Sequence, residues 1–223
     1  MELLVDSIEP EEIEEVKSWG LISGVTTNPA LYSKQKDKFT DRLKKIIEAS
    51  PGYVFTQAIG WHNVEELKGQ ARWLAKQSEK IMVKLPMGIE GIQALIQLKK
   101  ENPRMRIAIT AVASVSEAML CGMAGADVVA LFNGPLDSVS DSHVDLVTPV
   151  RKIYDRWGYK TKILSCCRFA PGAGEFAAAG TDMLTMQISF HKMLYEHPYT
   201  DKRMAGFFEA WGGAFGDQKW PMA

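Results

Sequence analysis

The chain has 223 residues with a formal net charge of −1, 46% hydrophobic and 24% charged side chains. That balance fits a globular domain, or one barrel of below-average size, able to remove roughly 70% of its unfolded surface from water. It lacks the basic surplus expected of a nucleic-acid partner, and no apolar run approaches the ~20 residues of a membrane span.

The opening stretch MELLVDSIEPEEIEE is acidic where a signal peptide would be basic. Pro10-Glu11-Glu12 then begins a helix with acids in its first turn. Strand candidates follow over 2–6, 22–26, 53–59, 81–85, 106–110, 127–132, 162–167 and 183–187. Helical periodicity alternates with them over 39–49, 65–77, 89–100, 114–123, 143–156, 174–179 and 189–195, and a final helix is expected over 201–216. Eight strand–helix units in one domain over 1–223 predict an α/β fold, a (β/α)8 TIM barrel with an extra C-terminal helix. A doubly wound open sheet is the alternative, but no G-x-G-x-x-G or Walker sequence follows an early strand. Met204, Phe207, Phe208 and Trp211 share a face of the last helix, which suits a cap on the domain or a neighbouring subunit.

Three cysteines, Cys121, Cys166 and Cys167, make a poor disulfide framework, so a reducing, cytoplasmic setting is expected. His62, His143, His191 and His197 show no metal-ligand spacing, and His143 reads as a solvated helix start.

Lys84 lies inside Ile81-Met82-Val83-Lys84-Leu85-Pro86, a run that otherwise reads as a buried strand. Burial disfavours the ammonium, and a neutral amine can attack a carbonyl to form a Schiff base. Taken alone, the same lysine can pack its stem and reach solvent at the strand end. Barrel enzymes place their chemistry at the C-terminal strand ends, where side chains alternate inward and outward. If Lys84 and Met82 point inward, the same alternation turns Asp6, Thr26, Thr110, Ala130 with Phe132, and Ser165 with Cys167 inward, and strand 3 carries Gln57. An acid, an amine, two hydroxyls and an amide then meet at one end, a set suited to carbonyl chemistry. Each polar residue singly could also be a strand-end cap.

At these residues the chain resembles the transaldolase family, and in particular its short fructose-6-phosphate aldolase-like branch. The matching pieces are Leu4-Val5-Asp6-Ser7, Gly24-Val25-Thr26-Thr27-Asn28-Pro29, Phe55-Thr56-Gln57, Val83-Lys84-Leu85-Pro86 with Glu90-Gly91, Thr110-Ala111-Val112, and Trp211 with Gly213-Ala214-Phe215-Gly216. The resemblance implies a Schiff base on Lys84 and proton transfer by Asp6 as the C3–C4 bond of a ketose breaks. It implies donor hydroxyls held by Thr26 and Asn28, and water positioned by Thr110 and Gln57. It also implies a small ketose or aldose as partner, commonly phosphorylated, no cofactor, and a homo-oligomer through the C-terminal helix.

The signature is mixed. Gln57 and Ala130 fit the aldolase branch, whereas Phe132 fits the transaldolases. Pro135 stands where the family supplies an arginine, and Cys167 stands for a serine before the retained cation Arg168. Aldolase chemistry is slightly preferred over transfer of the dihydroxyacetone unit. A sugar-phosphate-binding barrel without turnover is a further alternative, weighed against by Asp6, Asn28, Lys84 and Thr110 together, and a lyase like the deoxyribose-phosphate aldolases is disfavoured because only Lys84 fits a buried strand position.

Overall fold

The structure is a computed structural model and describes residues 1–134 and 145–216. Eight parallel strands close into a barrel in chain order. They are β1 (Glu2–Asp6), β2 (Ile22–Thr26), β3 (Tyr53–Gln57), β4 (Ile81–Pro86), β5 (Ile107–Val112), β6 (Val128–Leu131), β7 (Lys162–Cys166) and β8 (Met183–Met186). The ring closes where β1 pairs with both β2 and β8. Around it run α1 (Pro10–Ser18), α2 (Pro29–Tyr32), α3 (Phe39–Ala49), α4 (Val64–Ala75), α5 (Ile89–Glu101), α6 (Val115–Ala124), α7 (Val147–Trp157), α8 (Ala170–Ala179), α9 (Ile188–Met193) and α10 (Pro198–Phe215).

Strand alternation divides the core in two. Leu4, Phe55, Met82, Ala108, Val128, Ala130, Leu164 and Met183 fill the barrel interior. Val5, Val25, Val83, Leu85, Ile109, Leu131 and Ile163 face the helices and meet Ile13, Leu43, Leu67, Leu95 and Val150. Each such fully buried aliphatic side chain stabilises the fold by about 1.5–3 kcal/mol.

Several boundaries differ from expectation for local reasons. Strand 53–59 stops at Gln57 because Gln70 Oε1 accepts from the N–H groups of Ile59 (2.6 Å) and Gly60 (3.2 Å), drawing them off the ladder. Strand 106–110 instead runs on to Val112 through a bulge against β6. The short α2 was not anticipated, although Asn28-Pro29 carries its cap and its first-turn proline. The helix expected from 174 begins at Ala170, with a proline again in the first turn. The expected 143–156 helix runs Val147–Trp157; His143 lies outside the described residues, as does Pro135. The last helix starts earlier than 201, at Pro198, where the Tyr199 N–H donates to His197 Nδ1 at 3.2 Å.

Strand 7 requires a correction. Ala130 pairs with Leu164, and Cys166 pairs with Thr185, so Leu164 and Cys166 are the inward residues. Ser165 and Cys167 therefore do not point into the barrel. The Ser165 hydroxyl bonds to Thr181 Oγ1 at 2.9 Å, and Cys167 belongs to the outer apolar shell with its Sγ donating to the Phe169 carbonyl at 2.9 Å. Ile163 and Leu164 are both apolar and both buried, and the polar Ser165 lies on the outward face, so polarity along the strand does not mark the inward one.

Candidate active site

The interior layer stops at Met82 on β4, and the next inward residue is Lys84, only 6% exposed. Its register partners are Gln57 on β3 and Ala108 on β5. The Lys84 Nζ donates to the Thr27 carbonyl at 2.5 Å. Burial pushes its pKa below the ordinary lysine range, against the opposing pull of Asp6 and Cys166. The strand end is fixed by packing. A Cβ on Gly91 would lie 1.9 Å from the Pro86 carbonyl oxygen, so only glycine lets α5 seat against the end of β4.

Asp6 ends β1. Burial raises its pKa, opposed by Lys84, by the Thr26 hydroxyl, by Arg168 and by Asn28. Thr26 Oγ1 donates to Asp6 Oδ1 at 2.8 Å and lies 2.7 Å from Thr185 Oγ1. Thr26 has one hydroxyl proton and gives it to Asp6, so Thr185 donates to Thr26. A chain of hydroxyls from β8 through β2 thus supports the carboxylate on β1. Asn28 caps α2, its Oδ1 accepting from the Leu31 N–H at 3.1 Å, which orients the amide whose hydrogen bonding favours ionised Asp6.

These groups surround a cavity of about 480 Å³ at the C-terminal end of the barrel. Lys84, Asp6, Thr110, Gln57, Thr26, Asn28, Ala130, Phe132, Cys167 and Arg168 all line it, whereas Ser165 does not. Arg168 is exposed at its edge. A Cβ on Gly134 would come within 2.9 Å of Arg168 Cγ and 2.8 Å of the Cys166 carbonyl, so the chain after β6 lies close against the arginine. Thr110 is 2% exposed and is followed by Ala111 at φ 63, the one non-glycine residue with positive φ among the described residues. The Thr110 carbonyl accepts from the Met87 N–H at 2.9 Å, tying this turn to the end of β4.

Thr185 and Cys166 are among the lining residues that went unread in the sequence. Thr185 follows from alternation along Met183-Leu184-Thr185, a readable signal. Cys166 had none, because apolar residues occupy both faces of β7. Its thiol faces Asp6 and Lys84, and burial pushes it up to about 12, so it stays protonated. Among the described residues no three His, Cys, Asp or Glu side chains are grouped as metal ligands, and no helix is long and apolar enough to cross a membrane.

Comparison with known proteins gives this geometry its family. The family described as "Transaldolase/Fructose-6-phosphate aldolase" matches residues 3–215. The chain belongs to that family. It is 34% identical over 212 residues to a "Probable transaldolase" of Kosmotoga olearia, covering 95% of this chain and 96% of the relative. It is 35% identical to one from Dictyoglomus turgidum, covering 95% and 98%. The likeness to one from Lactiplantibacillus plantarum is 34% over 220 residues, 98% of this chain and 100% of the relative. The family is one of enzymes, and in the transaldolase-family member described here Asp6, Thr26, Gln57, Lys84 and Thr110 sit on strands whose ends converge on the cavity.

Proposed function

We propose that this protein is a Schiff-base aldol enzyme that cleaves or forms the C3–C4 bond of a ketose or ketose phosphate. The observation that carries the reading is a buried lysine amine, shifted toward its neutral form, sharing one cavity with a supported carboxylate. The neutral amine attacks the C2 carbonyl, and loss of water gives an iminium on Lys84. Asp6 removes the C4 hydroxyl proton, the C3–C4 electrons flow into the iminium, and an aldehyde departs. Thr26 and Asn28 bind the hydroxyls of the retained three carbons, and Thr110 with Gln57 positions the water that carries protons during imine formation. The enamine is then protonated and hydrolysed, which makes the enzyme a lyase, or it attacks an acceptor aldehyde, which makes it a transferase.

Gln57 and Ala130 support the lyase, since an amide orients water but does not shuttle a proton at neutral pH. Phe132 and the relatives' printed name favour the transferase as second reading. The family name points to sugar phosphates, for which Arg168 offers a bidentate grip. We place the reaction in the cytoplasm, in line with the adjacent thiol residues 166 and 167. We further propose a homo-oligomer joined through α10, whose residues are all exposed, including Phe207, Phe208, Trp211 and Phe215.

Incubation with fructose 6-phosphate and borohydride should add covalent mass at Lys84. Absence of an adduct with several ketoses on folded protein would overturn the Schiff base. Product identification with and without an acceptor aldose then separates lyase from transferase. Phosphate is expected to improve kcat/KM over fructose by less than ~1000-fold, a difference of about 4 kcal/mol.

A further inference from the structure

A second cavity of about 380 Å³ adjoins the first, and Asp6 and Gln187 line both. Its polar wall is built from the turn after β1 and is held in place from behind. The Ser7 hydroxyl donates to Glu12 Oε2 at 2.6 Å and accepts from the Glu9 N–H at 3.0 Å. Arg42, 9% exposed, donates to Glu9 Oε2 at 2.9 Å and also holds Asp37 and Gln35, while the Gln35 amide donates to Glu9 Oε1. Lys34 and Ser189 complete the rim, both exposed. Carboxylates, hydroxyls and one ammonium converge here beside the acid that would act on C4. Such groups match a chain of neutral hydroxyls, which both donate and accept, and the Glu12 carboxylate opposes a phosphate.

Resting on the Schiff-base reading above, we propose that this cavity is the subsite for the hydroxylated carbons of the aldehyde half, and that kcat/KM among free ketoses rises with the length of the polyol beyond C4. The lengthening tail gains partners in Glu12, Lys34 and Ser189 that a shorter substrate leaves to water.

The test measures cleavage of xylulose, fructose and sedoheptulose, which release aldehydes of two, three and four carbons. In the parent protein kcat/KM is expected to rise about tenfold or more from the five- to the seven-carbon ketose, the size of effect that one or two added hydrogen bonds produce. In Lys34→Ala and in Ser189→Trp, which fills the cavity, that gain should shrink to about threefold or less, carried by KM. Borohydride trapping of dihydroxyacetone on Lys84 reports separately whether the imine forms in each protein. A flat length dependence in the parent, a gain undiminished in both variants, or a larger gain for the phosphorylated ketoses than for the free ones would overturn the subsite. Failure of trapping in the parent would instead remove the Schiff base, and the subsite with it.

Discussion

Lys84 donates to the Thr27 carbonyl, a bond made through N–H that leaves the lone pair of a neutral amine unengaged. Asp6 raises the Lys84 pKa while burial lowers it. Replacing Asp6 by Asn removes the opposing charge, so the amine should lose its proton at still lower pH. The acid limb of the rate of borohydride trapping against pH is then expected to move downward, while cleavage falls about 10²–10⁴-fold for want of a base. A limb that moves upward or stays put would show that the two groups do not sense each other. Ala111 is a second residue whose conformation costs energy, about 1–2 kcal/mol for a left-handed alanine. Ala111→Gly should be neutral or stabilising by up to about 1 kcal/mol in urea unfolding, and Ala111→Val destabilising by about 2 kcal/mol. Lys84 was legible because a lone cation breaks an apolar strand. Ala111 was not, since nothing in Thr110-Ala111-Val112 marks a bulge.

The elements that carry the site were readable in outline because each strand is bounded by an amphipathic helix, and the period changes from 2 to 3.6 at each junction. The eight strands predicted from the sequence are the eight in the barrel, with ends shifted by one or two residues. Direction within a strand is a harder question. On β4 the lysine fixes the inward face, and its paired neighbours inherit it through the register. On β7 apolar residues occupy both faces, so the choice between Cys166 and Cys167 depends on the pairing of Ala130 with Leu164, which is a tertiary fact. Helix placement adds its own constraint. Gly91 lets α5 pack on the end of β4, and Gly91→Ala should destabilise the protein by about 3 kcal/mol, read from chemical denaturation. The same variant should slow trapping at Lys84, because the displaced carbonyl belongs to Pro86, two residues beyond it. A normal trapping rate in a destabilised Gly91→Ala protein would separate the seat of α5 from the position of the amine.

For the molecule as a whole, α10 stands apart from the barrel, with no buried residue along its 18 positions. A separate apolar cavity of about 670 Å³, lined by Tyr32, Phe39, Ile59 and Trp73, opens on the barrel wall beside Gln57. The proposed assembly is expected to weaken when the helix loses its rings. Phe208→Ser with Trp211→Ser should lower the mass measured by light scattering, and an unchanged mass would exclude α10 as the joint. The barrel closes where its first and last strands meet, and there the hydroxyl of Thr185 supports Thr26, which supports Asp6. The buried His191, on α9, reaches back to the Leu4 carbonyl across the same seam at 2.9 Å. Synthesis runs from Asp6 to Thr185, so a nascent polypeptide holds its acid from the first moments but lacks that support until its eighth strand has left the ribosome. Premature fragments therefore carry the amine without the finished arrangement around it, and competence arrives in a single late event, when the two ends of the chain join.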